Sequence, residues 1–261
     1  MYWTYCGQAR LHQMGLAPSP LCLLCGKHKD TPIYAGGGCS HRVLSDMATT
    51  SHNQAVHLIL DALRDGKHGG DRFLANAGTQ HDGARHERTV PPFLVPNYPG
   101  FPDIMACLGL PSDAPDPTST PNPAVIYAPL EITRTYDTSI PRAVRRKQSK
   151  YSHDPSTDAE FVTNPSDPPF PHLLRAMRAR GHRVLGWDPV SNCVSETGDR
   201  ILVLALGTTG SLPRSLIPIM TALGLSAAQR STLSLDLHKH ALRRLRSMVA
   251  TRSHLQRGGI G

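Results

Sequence analysis

Apolar positions fall into two spacings along the chain, one helical and one strand-like. In residues 41–66, Ala55, Val56, Ile59, Leu60, Ala62 and Leu63 recur at near-helical intervals and predict a helix. Ser51 with Gln54 resembles a capping box within it, and the run DGKHGGD from Asp65 marks its stop. Residues 67–123 carry prolines at 91, 92, 96, 99 and 102 and the run LPSDAPDPTSTPNP, so they are expected to be mostly irregular, with 110–123 a flexible surface insert. From residue 124 the pattern changes. AVIYAPLEIT (124–133) predicts a strand, SIPRAVRRKQSKY (139–151) a short basic helix, and 152–171 a second Pro/Asp/Ser insert. HLLRAMRARG (172–181) predicts a helix stopped by Gly181, followed by strands in HRVLGWDPV and DRILVLALG. SLPRSLIPIMTALGL (211–225) predicts a helix despite Pro218, with Pro213 in its first turn. Ser226 with Gln229 is a second capping box, opening the longest helix. Strands alternating with helices imply an α/β fold. Three segments follow: 1–66 with cysteines and a helix, 67–123 as a Pro/Gly-rich connection, and 124–261 as the remaining α/β portion.

Charge adds a polyanionic partner to this picture. Lys and Arg number 28 against 20 Asp and Glu, a formal charge of +8. No run of about 18 uncharged apolar residues is present, so no membrane span is expected. No basic segment followed by an apolar one opens the chain, so no secretory signal is visible and the expected location is intracellular. Six cysteines in 261 residues are too few for a disulfide scaffold and read better as metal ligands in a reducing compartment.

Candidate chemistry falls in three places. Pro102-Asp103 opens the apolar run DIMACLGL, Glu131 closes the next strand candidate, and Lys147, Lys150 and Tyr151 lie on the basic helix that follows. Two carboxylates can hold a hard divalent cation that activates water and screens a phosphate, while a lysine offsets developing charge; together they suit phosphodiester cleavage. The bland reading is a common dipeptide and a solvated glutamate. Cys22 and Cys25 have the two-residue spacing of a zinc knuckle, with Cys39 a third ligand and His41 or His28 a fourth. The rival reading is two surface thiols and a buried Cys39. Finally, Arg142, Arg145, Arg146, Lys147 and Lys150 occur without an intervening acid, as do Lys239, Arg243, Arg244, Arg246, Arg252 and Arg257. Such stripes suit phosphate-backbone contacts, against the alternative of solvated helix faces. Asp137 is expected to cap the basic helix rather than bind metal, and Trp187 to be core.

The order of these pieces resembles the C-terminal part of a non-LTR retrotransposon polyprotein: a reverse-transcriptase tail, a zinc knuckle, a His-Asn helix and a restriction-like endonuclease. Gly7-Gln8, PLCLLCG (20–26), GGGCSHRVLSDMATTSHNQAVHLILDAL (36–63), VPPFLVP with FPDI, PLEITRTYDT (129–138), KQSKY (147–151), ILVLALGTTGSLP and LDLHKHALRRLRSMVATRSHL carry the resemblance, which leaves two Pro-rich inserts unmatched. It implies a PD-(D/E)xK fold: a mixed central sheet flanked by helices, with a small N-terminal knuckle and a long C-terminal helix. It implies Mg²⁺ or Mn²⁺ on Asp103 and Glu131. The lysine is drawn from the next helix as Lys147, or Lys150, since Thr133 stands two residues after the second acid, and Tyr151 shares the face of Lys147. The implied activity is nicking of a DNA target in the nucleus to prime reverse transcription, with element RNA a further partner; the alternative is an inactive nucleic-acid-binding remnant. Tyr34 stands where the knuckle expects histidine, and Gly100-Phe101 where a basic residue usually precedes Pro-Asp. With no polymerase motif present, a truncated element or fragmentary gene product is expected.

Overall fold

A computed structural model describes residues 7–31, 39–76, 82–117, 121–135, 137–152 and 171–258. The insert expected at 152–171 lies almost entirely outside these residues, as does Tyr34.

The chain forms a mixed α/β fold around a six-stranded sheet. The order is β2 (Ala84–Glu87), β1 (Asp71–Asn76), β3 (Ile104–Pro111), β4 (Ile126–Thr135), and then β5 (Arg183–Val184) and β8 (Leu202–Gly207), which share the far edge of β4. The pairs β1–β3 and β3–β4 are antiparallel, while β2, β5 and β8 run parallel to their neighbours. The expectation of irregular structure over 67–123 is therefore wrong. Three strands lie there, and its prolines flank them rather than interrupt them, apart from Pro111 at the end of β3.

Side-chain alternation sends each strand's residues to two cores. Phe73, Ala106, Leu130, Ile132, Leu202 and Leu204 face one side. There they meet Val56, Ile59, Leu60 and Leu63 of α2 (Arg42–Arg64), Ile219 and Met220 of α5 (Leu216–Ala222), and Leu233 and Leu237 of α6 (Ala227–Gly258). Leu74, Met105, Tyr127 and Val203 face the other side, with Tyr151 of α3 (Ile140–Tyr151) and Leu173, Leu174 and Met177 of α4 (Leu173–Ala179). Burial on both faces explains why β3, β4 and β8 read as nearly continuous apolar runs. A short helix α1 (Gln8–Gln13) and a hairpin of β6 (Gly186–Asp188) with β7 (Cys193–Ser195) complete the fold, and Trp187 packs against the first core.

Several helix boundaries differ from those the sequence predicts. Ser51 lies in the middle of α2, so it is not a cap; His41 takes the N-cap position. Helix α5 begins at Leu216, after Pro213. Pro218 instead occupies its third position, where the N–H has no partner within the helix. The second capping box is present: Ser226 N–H donates to Gln229 Oε1 at 2.9 Å, and Gln229 N–H to Ser226 Oγ at 3.3 Å. Gly181 ends α4 with φ +85°.

Helix α6 carries one buried stripe along its length: Leu233, Leu237, Ala241, Arg244, Met248 and Arg252. These positions follow one another at helical spacing. No described helix is long and apolar enough to cross a membrane.

Candidate functional site

The antiparallel pairing of β3 and β4 sets the carboxylates. Their register ends with Ile104 opposite Leu130, and Asp103, one residue before β3, lies beside Glu131 and Ile132 of β4. Glu131 does not end the strand. It lies mid-strand and only 4% exposed, because β4 continues to Thr135 beside β8.

Each carboxylate oxygen has a partner. Asp103 Oδ2 accepts the Ile132 N–H at 2.7 Å, and its Oδ1 meets His52 Nε2 at 3.1 Å. Lys147 Nζ donates to Glu131 Oε1 at 2.5 Å. Tyr151 Oη lies 2.9 Å from Glu131 Oε2 and 3.1 Å from the Phe101 carbonyl. Lys147 and Tyr151 stand one turn apart on α3, so the helix presents both to the same glutamate. Lys150 instead places its Nζ 5.6 Å from the centre of the Tyr151 ring.

Burial, followed by the nearby Asp103 charge, pushes the Glu131 carboxyl above its usual range, while Lys147 and Tyr151 oppose this. Burial and then Glu131 raise the Tyr151 phenol, which keeps its proton and remains a donor. Two acids are thus held where a second negative charge is costly and a cation is favoured.

His52 is a site residue that the motif reading misses. Its signal is helical phase: it precedes the buried Ala55 and Val56 by one turn on the face that α2 turns to the sheet. Asp137 does not cap α3. Its Oδ2 accepts from the Thr209 hydroxyl at 2.7 Å and the Thr209 N–H at 3.3 Å, tying down the loop after β8.

The three cysteines come together. The Sγ atoms of Cys22, Cys25 and Cys39 all lie within 4.8 Å of one another, with Cys22 and Cys39 at 3.7 Å. A tetrahedral zinc site with Zn–S bonds of about 2.3 Å has edges of about 3.8 Å, so this cluster can hold a metal ion such as zinc. Its local fold is a tight turn. Cys22 N–H donates to the His28 carbonyl at 2.8 Å, Gly26 N–H to the Cys22 carbonyl at 2.8 Å, and Gly26 turns the chain with φ +64°. Among the described residues, neither His41 nor His28 joins the three sulfurs. His41 instead gives its backbone N–H to Cys39, whose thiol is raised above its ordinary range chiefly by burial.

The basic residues divide. Arg142, Arg145 and Arg146 of α3 are exposed, as are Arg243 and Arg246 of α6. Arg244 and Arg252 are not: they are 7% and 1% exposed because they fall on the buried stripe of α6. Arg252 pairs with Asp30 and donates to Cys22 Sγ at 3.1 Å, pinning the end of α6 to the cysteine cluster. The side chain of Arg257 lies outside the described residues.

Comparison of this chain with protein-family models, curated proteins and solved structures finds no match, so its fold and its sites stand on the residues described above.

Proposed function

We propose that this chain is a metal-dependent DNA endonuclease of the restriction-like type, the nicking domain of a non-LTR retrotransposon protein. One observation carries the reading: Asp103, just before β3, lies against Glu131 and Ile132 of the neighbouring β4, with Lys147 from the next helix on the second acid. The order of motifs along the chain adds to it.

The donor set fits a hard divalent cation. Two neighbouring carboxylates supply oxygen ligands, and a cation would offset both causes of the upward shift at Glu131, its burial first and then the Asp103 charge. When bound, Mg²⁺ or Mn²⁺ supplies charge screening of the phosphodiester and an acidified water.

The protein's own groups do the rest. His52 and the Ile132 N–H fix both oxygens of Asp103, and so its orientation. Tyr151, held as a neutral donor, aligns Glu131. Lys147 balances Glu131 at rest; its flexible stem lets the ammonium turn to the phosphate and meet charge developing there. Arg142, Arg145 and Arg146 extend the same helix as a surface for the DNA backbone. Zinc on Cys22, Cys25 and Cys39 has a structural role, joining the N-terminal turn to α6 through Arg252.

The test is nicking of supercoiled plasmid in Mg²⁺ or Mn²⁺ by wild type and by Asp103→Asn. Nicking by wild type alone is the expected result. Equal nicking by both contradicts the site. Salt-sensitive binding without nicking by either protein favours the inactive nucleic-acid-binding reading.

A further inference from the structure

On the side of the sheet away from Glu131, α2 and α6 border a cleft of ≈ 890 Å³ lined by Ser51, Gln54, Lys239, His240, Arg243 and Arg244. Arg134 of β4 lies behind it. Strand alternation sends Arg134 to this side, after Leu130 and Ile132. Its Nη2 donates to the Ser51 carbonyl at 3.4 Å, and His240 Nε2 meets the same carbonyl at 3.0 Å.

Two cations therefore sit together without an answering acid. Nε and Nη1 of both Arg134 and Arg244 are buried and meet no hydrogen-bond partner among the described residues. Burial, and for Arg134 the charge of Arg244 as well, works against both guanidinium charges, and no carboxylate offsets either. The cleft wall adds Lys239 and Arg243 against Asp46 and Asp236, and Asp46 already faces Arg42 at 3.9 Å. Unpaired buried N–H groups on a charged side chain are costly, and an oxyanion relieves both the charge and the missing bonds.

We propose that this cleft is a phosphate-binding site in which Arg244, backed by Arg134, holds the oxyanion. A tetrahedral phosphate suits it better than a carboxylate, because two guanidinium forks offer more donors than two oxygens can accept. The site lies across the sheet from Glu131 and stands whether or not the acidic pair cleaves DNA. The phosphate comes either from a nucleic-acid backbone or from a free phosphate compound.

The test is thermal unfolding in inorganic phosphate and in chloride at equal ionic strength, for wild type, Arg244→Met and Arg246→Met, the last an exposed arginine of α6 outside the cleft. Phosphate stabilises proteins generally, so the reading is the difference between proteins. Wild type and Arg246→Met are expected to gain melting temperature in phosphate beyond any gain of Arg244→Met. Equal gains in wild type and Arg244→Met overturn the proposal. Arg134→Met is the second variant, should Arg244→Met fail to fold, with the same loss expected. Anisotropy titration with a duplex oligonucleotide then separates the sources. A loss of about tenfold or more in Arg244→Met, beyond that in Arg246→Met, assigns the phosphate to the backbone. Equal losses in the two variants, with the phosphate-specific gain kept, assign it to a free phosphate compound.

Discussion

Strand β4 carries an acid and a base three residues apart and treats them differently. Glu131 faces α3 and is answered on both oxygens, by Lys147 and by Tyr151, while Asp103 beside it is answered by His52 and the Ile132 N–H. Arg134 faces α2 and α6 and meets one carbonyl, with Arg244 beside it adding like charge. The difference teaches what each face is built for. Every oxygen of the acidic pair has a partner that orients it, as the proposed metal site would require. The arginine pair is left with donors to spare, as a site for an incoming anion requires.

The sharpest break in the acidic half is Glu131→Gln. It keeps a side chain of the same shape for Tyr151 but removes a metal ligand, and nicking is expected to fall by on the order of 10³-fold or more, read as initial rates on supercoiled plasmid. Lys147→Met comes next. The expected loss is about 10²–10³-fold, and metal uptake shifts to higher pH, because Glu131 loses the charge that opposes its upward shift. His52→Ala leaves both acids in place but frees Asp103 Oδ1, so metal affinity is expected to fall by roughly 10–100-fold, read by calorimetric titration.

A pH effect follows at the cysteine cluster. Burial raises the Cys39 thiol, so the metal-free protein is most stable below the ordinary thiol range and loses stability as pH rises through the raised value. Zinc requires thiolates and reverses this sign: its affinity rises with pH and its binding releases protons, checked by titration in buffers of different ionisation enthalpy. The smallest effect is expected from Arg134→Met without phosphate. Removing an unanswered charge leaves the melting temperature unchanged or slightly higher, whereas loss of a fully paired cation would lower it.

Local pattern makes part of this legible. The strand around Glu131, the α3 pair Lys147 and Tyr151, and the capping box at Ser226 follow from residue spacing, and the structure places all of them. Strand β3 is hidden because prolines crowd around it and β1 because glycines flank it, and in both burial on two faces removes the alternation that marks a half-exposed strand; β2 is a short polar edge strand with no buried residue. The pairing of Asp103 with Glu131 depends on register, which is a tertiary property. Counting charge alone groups Arg244 and Arg252 with the solvent-facing cations. The phase of Leu233, Leu237 and Ala241 already places both on the buried stripe. His52 is accessible to the same argument on α2.

The central claim is that Asp103 and Glu131 hold a divalent cation. It is tested most directly by Mn²⁺ titration followed by electron paramagnetic resonance, for wild type and Asp103→Asn. Oxygen ligands suit Mn²⁺, whereas thiolates favour softer metals, so the cysteine cluster does not obscure the reading. Saturable binding by wild type that is lost in Asp103→Asn is the predicted result. Equal binding by both proteins, or none by wild type, would contradict the account.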